Sequence, residues 1–177
     1  VKFLELDDCG GDAGVYEMVA KCAGWVRSVK ANASPRWLSI VGNSGTGKTH
    51  CAKRLFKLVN ASQSAYAECE FFPRFIHWPM FVDELRSGNR YEEVRDMTKW
   101  PFLFLDDILA ERDPSGFAID KLNTLLGCRH NKWTVLTSNM RLSEISKTEA
   151  RIADRMVRNG GIVCDVKCMS YALRSRS

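Results

Sequence analysis

The sequence predicts an α/β fold, a three-layer sandwich around a mostly parallel sheet, and three observations carry that prediction. The stretch IVGNSGTGKTH, residues 40–50, sits between a short apolar run and a segment with helical spacing. The run Pro101-Phe-Leu-Phe-Leu105 shows no polar alternation, which is the mark of a parallel strand buried on both faces. Short apolar runs and helix-period segments then alternate along the chain, as right-handed crossovers between parallel strands require.

The elements follow in order. Val15, Met18, Val19, Cys22, Trp25, Val26 and Val29 share one face of a helix over 15–29, with Asp12 as its N-cap, and the turn from Asn32 to Pro35 ends it. Trp37, Leu38, Ile40 and Val41 read as a buried strand, and Ala52, Leu55, Phe56 and Val59 as the inner face of the next helix. Between them, Gly42, Gly47, Lys48 and Thr49 satisfy G-x-x-x-x-G-K-[ST], the phosphate-binding loop. Gly42, Asn43, Ser44, Gly45, Thr46, Gly47, Lys48, Thr49 and His50 are therefore the expected nucleotide contacts. Backbone N–H groups turn inward around phosphate oxygens there, and the helix N-terminus adds partial positive charge. Lys48 is expected on the terminal phosphates, and the Thr49 hydroxyl on Mg²⁺.

Phe71–His77 is predicted as a strand, Trp78–Leu85 as a helix ending near Gly88, and 91–99 as a polar helix. The strand 101–105 ends in Asp106 and Asp107, 58 positions after Lys48, at the sheet edge that carries the phosphate loop. Asp106 is placed to bind Mg²⁺ and Asp107 to polarise water, the second half of a P-loop NTPase site. Ala118, Ile119, Leu122, Leu125 and Leu126 predict a helix over 117–126, and Trp133–Leu136 a further strand closing with Thr137, Ser138 and Asn139. The Asn139 amide reads either as a turn signal or as a sensor of the γ-phosphate.

Ser146 and Glu149 form a capping-box pattern, and Gly160-Gly161 stop the helix that follows. Ile152 and Met156 face inward on it, while Arg151, Arg155 and Arg158 recur at i, i+4 and i+7. Those arginines read as a solvated or nucleic-acid-facing stripe, or as a source of one guanidinium reaching a neighbouring subunit's site.

Composition limits the function classes. At 177 residues and 45% hydrophobic the chain suits one domain, 1–177, with 1–36 as an N-terminal helical linker region and 37–177 as the nucleotide-binding core. The longest apolar run is far short of the roughly 18 residues of a membrane span, and VKFLELDDCGGD is acidic where a leader would be basic. Seven cysteines without a C-x-x-C pair argue against a disulfide framework and a zinc site, so a reducing cytoplasm and no membrane partner are expected. The net charge is +5, and the segment from Arg151 onward holds six basic residues against Asp154 and Asp165.

In order and spacing, GNSGTGKTH, FIHWPMFVDELRSG, FLFLDDILAE, VLTSNMRLSEI, ARIADRMVRNGG and SYALRSR resemble the AAA+ ATPase domain of the DnaC/DnaI helicase loaders, a group that includes the IstB-type transposition helpers. The similarity runs from about Val15 to the C-terminus. It implies an AAA+ type fold without a full C-terminal lid domain, an ATP and Mg²⁺ site, and slow hydrolysis stimulated by assembly or DNA. It further implies that Asp106 binds magnesium, that Asp107 replaces the more usual Glu as activating acid, and that Asn139 is the first sensor. Arg155 matches the arginine finger acting in trans with Arg151 as helper, and Arg174, ahead of Arg176, matches the second sensor. Implied partners are a replicative DNA helicase, single-stranded DNA and further copies of the chain in the ATP state. About 41 residues precede Gly42, mostly helical, so the helicase-binding N-terminal domain is expected to be absent or removed. Three other readings are a transposition helper, not separable by residue, a small-molecule P-loop kinase, which needs a lid that the residues between Asp107 and Asn139 do not suggest, and a nucleotide-binding interaction module that hydrolyses little or nothing.

Overall fold

The structure, a computed structural model, describes residues 12–64, 72–88, 91–111, 113–168 and 170. Arg174 and Arg176 lie outside these, as do Phe71 and Arg112.

The chain runs α1 (Ala13–Lys30), β1 (Trp37–Gly42), α2 (Lys48–Ser64), β2 (Arg74–His77), α3 (Trp78–Arg86), α4 (Tyr91–Met97), β3 (Phe102–Asp106), α5 (Phe117–Gly127), β4 (Trp133–Thr137), α6 (Leu142–Thr148), α7 (Ala150–Val157), a 3₁₀ turn at Arg158–Gly160, and β5 (Ile162–Val166). The five strands form one sheet in the order β2-β3-β4-β1-β5, every pairing parallel. With the phosphate loop leaving β1 between β4 and β5, the order switches direction where an α/β sheet opens its ligand crevice.

Parallel strands need cover on both faces. One face packs Leu103, Leu105, Val41 and Leu136 under Trp78, Phe81, Leu85, Leu122, Ile152 and Met156 of α3, α5 and α7. The other packs Leu38, Ile40, Phe104, Val135 and Cys164 under Met18, Cys22 and Trp25 of α1 and Leu55 and Val59 of α2. Helix α1 thus belongs to the packed body. Its N-cap is Asp12, whose carboxylate accepts from the Gly14 N–H at 2.8 Å. Lys21 on α1 donates to the carbonyl of Val163 at 2.8 Å, which caps part of the β5 edge.

Two local expectations change. Ser146 lies inside α6, and the chain breaks at Glu149 (φ −133°, ψ 62°), which takes no side-chain capping bond. The helix begins earlier because Glu144 accepts from the Arg141 N–H at 2.6 Å and Ile145 is already buried. Strand β5 was not read from the sequence at all, although Ile162, Cys164 and Val166 alternate toward the core and Gly160-Gly161 precede them.

The entry side of the sheet is pinned by Arg129, fully buried just after α5. Its guanidinium donates to four neutral oxygens: the carbonyls of Met97 (2.5 Å), Trp100 (2.9 Å) and Trp133 (2.9 Å) and the Thr134 hydroxyl (3.0 Å). Burial pulls its pKa down to about 9, which still leaves it charged at neutral pH. Arg129→Met keeps the stem but strands these acceptors, so urea unfolding should show a loss of roughly 3 kcal/mol or more. An unchanged midpoint would mean that water replaces the guanidinium at no cost.

Candidate functional site

Three strand ends and one loop converge on an open cleft of about 370 Å³ at the C-terminal edge of the sheet. That volume falls within the roughly 300–1,000 Å³ range of small-ligand sites. Ser44 to His50 line it along the loop, and Lys53, His77, Asp106, Asp107 and Asn139 line the rest.

The loop shape depends on glycine. Gly42 leaves β1 at φ 123°, where a Cβ would stand 2.5 Å from the Val166 carbonyl oxygen. Gly45 has φ 75°, and a Cβ there would collide with the Ser170 hydroxyl. The segment after β5 therefore runs against the loop, with Cys168 beside Gly14. Neither contact was visible in the sequence, because both join residues more than a hundred positions apart.

Lys48 is 5% exposed, and its ammonium folds back onto the loop, donating to the Asn43 carbonyl at 2.6 Å. Burial lowers its pKa, while Asp107, Cys168 and Asp106 oppose that shift. Asp106, 3% exposed at the end of β3, accepts from the Thr137 hydroxyl at 2.7 Å. That same hydroxyl accepts from the Asp107 N–H at 2.9 Å. One threonine at the end of β4 thus orients one acid through its carboxylate and the next through its backbone. Asp107 stands at φ 61°, the left-handed region that Asp and Asn tolerate best among side chains with a Cβ. Asn139 donates its amide to Asp107 Oδ1 at 2.5 Å. Burial raises the Asp107 pKa and Asp106 raises it further, against His77 and Lys48.

Lys48, Thr49, Asp106, Asp107 and Asn139 are thus brought together. The donor set fits a hard divalent cation: the Thr49 hydroxyl and the Asp106 carboxylate are oxygen ligands on the side of the cleft where the phosphate loop opens. Among the described residues no cluster of three or more His, Cys, Asp or Glu forms a closed metal site, and Cys22, Cys51, Cys128, Cys164 and Cys168 form no disulfide. No described helix is long and apolar enough to cross a membrane.

Arg155 is not in the cleft. It donates to Asn123 Oδ1 at 2.6 Å and lines a second cavity with Arg36, His130 and Arg158, near the start of β1. Arg151 is exposed on α7. Arg158 falls in the 3₁₀ turn beyond α7 and pairs with Asp154.

Thr137 and His77 were missed as site residues. His77 ends β2 in register with Asp106, so the rule that polar residues closing parallel strands face the ligand edge identifies it. Trp78, its neighbour, is held by Glu111, whose Oε1 accepts from the indole N–H at 3.1 Å.

No family model matches the chain, and no curated protein matches it in sequence. Solved structures do match in fold. The DnaI structure is 21% identical over 94% of this chain and 87% of its own, with a TM-score of 0.67. The DnaC helicase loader is 18% identical over 88% of this chain and 92% of its own, at 0.66. The replication initiator DnaA bound to AMPPCP and single-stranded DNA is 17% identical over 89% of this chain and 48% of its own, at 0.65. The chain therefore has the α/β P-loop fold of AAA+ type that these proteins share.

The raised pKa of Asp107 makes a stability prediction. A carboxyl held above its unfolded value costs no stability below the unfolded pKa and costs increasingly as pH rises through the folded one. Asp107→Asn keeps the left-handed backbone and removes that cost. Its Tm should exceed the parent's at pH 7, and the gain should vanish as pH falls below about 4, the ordinary carboxylate range. Equal melting curves at both pH values would show that Asp107 carries no strain.

Proposed function

We propose that this chain is an ATPase of DNA replication that binds ATP with Mg²⁺, assembles with its own copies in the ATP state, and loads a replicative helicase onto single-stranded DNA. The observation that carries the reading is the Thr137 bridge, which sets Asp106 and Asp107 side by side against Lys48 and Asn139 in one cleft. Fold likeness to the DnaC helicase loader and to a DnaA bound to AMPPCP and single-stranded DNA supports the replication setting.

Each side chain has a defined task. The Lys48 ammonium exchanges the Asn43 carbonyl for phosphate oxygens, a neutral partner for a charged one. Thr49 and Asp106 hold the cation, which when bound neutralises phosphate charge. Asp107 orients water through Oδ2 while Asn139 fixes Oδ1, and its raised pKa brings it nearer the operating pH of a base. Asp is one carbon shorter than Glu, so water must approach the strand end more closely, in keeping with slow turnover.

Arg155 sits toward the entry side of the sheet, and β1 spans six residues, roughly 20 Å, between that side and the phosphate loop. A guanidinium so placed serves a neighbour's nucleotide, which ties turnover to assembly. Scattering mass should rise with a non-hydrolysable ATP analogue, further with single-stranded DNA, and not with ADP. A particle that stays monomeric in all three conditions removes the assembly claim.

Arg155→Ala should lower turnover by about 10³-fold with nucleotide affinity nearly unchanged. Lys48→Ala should abolish binding at the loop. Mixing the two variants should restore part of the turnover, because the first supplies an intact loop and the second an intact arginine. A mixture no more active than its components places the arginine elsewhere.

A further inference from the structure

A second cavity lies on the opposite side of the molecule's sheet from the phosphate loop, and its lining is cationic. Arg36, His130, Arg155 and Arg158 surround it, with Trp37 and the backbones of Gly127 and Gly161 between them, and among the described residues no carboxylate belongs to the lining. Arg36 donates only to neutral groups, the Asn131 carbonyl at 2.9 Å and Asn32 Oδ1 at 3.3 Å, and its guanidinium lies 5.0 Å from the centre of the Trp133 ring. Arg155 donates to the neutral Asn123 amide oxygen. Of the three arginines, Arg158 alone pairs with an acid, Asp154 on the solvent side of α7. The Arg36 and Arg155 guanidinium groups therefore face one cavity, each held in place by uncharged partners.

We propose that this cavity is a phosphate-binding site of the single chain, separate from the phosphate loop. Planar guanidinium groups match tetrahedral oxyanions, and the stacking on Trp133 and the bonds to Asn123 and Asn131 preorganise them. The cavity holds about 150 Å³, well short of the roughly 300–1,000 Å³ that encloses a whole small-molecule ligand. The ligand it fits is thus an inorganic phosphate or the phosphate end of a larger molecule whose remainder stays outside. The inference does not depend on ATP hydrolysis, and Arg155 takes part in it while stowed on Asn123.

The test uses the Lys48→Ala chain, which has no working phosphate loop, kept monomeric as judged by sedimentation. Titration with inorganic phosphate, followed by NMR of backbone amides and arginine Nε–H groups, should shift Gly127, Gly161, Arg36 and Arg155 along one saturating curve. Arg158→Gln in the same background should weaken that binding at least ten-fold with an unchanged melting temperature, and Arg36→Gln should do the same. Shifts absent in the monomer at millimolar phosphate, or present only when the unsubstituted chain assembles with an ATP analogue, would overturn the proposal, because the cations would then answer a neighbour's nucleotide alone. Shifts that ignore both substitutions would overturn it as well. Nucleotide binding by the chain with Lys48 intact but Arg158→Gln keeps the failure of this site distinct from failure of the phosphate loop.

Discussion

Two carboxylates in adjacent positions at the end of a buried strand are the constraint on which the rest of the site depends. Asp106 is almost fully buried and Asp107 partly so, and burial together with the Asp106 charge raises the cost of charge on Asp107. The fold holds them in place from β4. Thr137 satisfies one acid's oxygen and the next residue's N–H, Asn139 donates to the second carboxylate, and the Ile108 N–H bonds the Thr137 carbonyl at 2.9 Å. This works only with β3 and β4 parallel and in the observed register, where Leu105 stands opposite Leu136 and the acids meet the polar end of β4. A slip of one residue would turn the acids into the apolar layers.

The apolar layers make that register costly to lose. Strand β3 places Leu103 and Leu105 on one face and Phe102 and Phe104 on the other, so both faces of a five-residue strand are committed to cores. The aromatic contacts Phe56–Phe104, Phe75–Phe104 and Phe102–Trp133 lock it from one side. At the entry side, Arg129 collects the carbonyls of Met97 and Trp100, ahead of β3, and of Trp133, the first residue of β4. The strand is fixed at its beginning by a buried cation and at its end by two acids under a threonine, and the polar costs at each end are met locally.

Much of this was legible in the sequence. The loop, the acid pair and the strand ending at Asn139 were read from residue type and spacing, since each sits at the end of an apolar run and a parallel sheet gathers those ends on one edge. The helix register of Met18, Cys22 and Trp25 was readable for the same reason: burial follows period. What escaped depends on pairing across the chain. Thr137 looks like any β-branched residue until β3 is set beside β4, and His77 is a strand terminus until Asp106 is its neighbour. The Ser146–Glu149 pattern misled because a helix that starts at Leu142 absorbs it, the Glu144 carboxylate having capped the chain first. Strand β5 was overlooked because its alternation spans only five residues, yet its pairing to β1 completes the sheet edge beside the phosphate loop.

Lys48 in the cleft and Arg36 and Arg155 in the second cavity share one arrangement. Lys48 rests on the Asn43 carbonyl, Arg155 on the Asn123 amide, and Arg36 on the Asn131 carbonyl and the Asn32 amide oxygen. Such bonds satisfy a cation without neutralising it, and with an ionised donor each contributes about 1.5–3 kcal/mol. A phosphate oxygen accepts the same N–H and adds the attraction of opposite charges. Each cation can therefore exchange its partner with little rebuilding of the backbone. Had Lys48 been paired with Asp106 instead, phosphate binding would have had to break a buried ion pair and strand an acid. Here the two are held apart by neutral partners, Asp106 Oδ1 by the Thr137 hydroxyl and the Lys48 ammonium by the Asn43 carbonyl. The acidic half of the edge is thus ordered by one hydroxyl at the end of β4, and its basic half by a carbonyl of the loop itself.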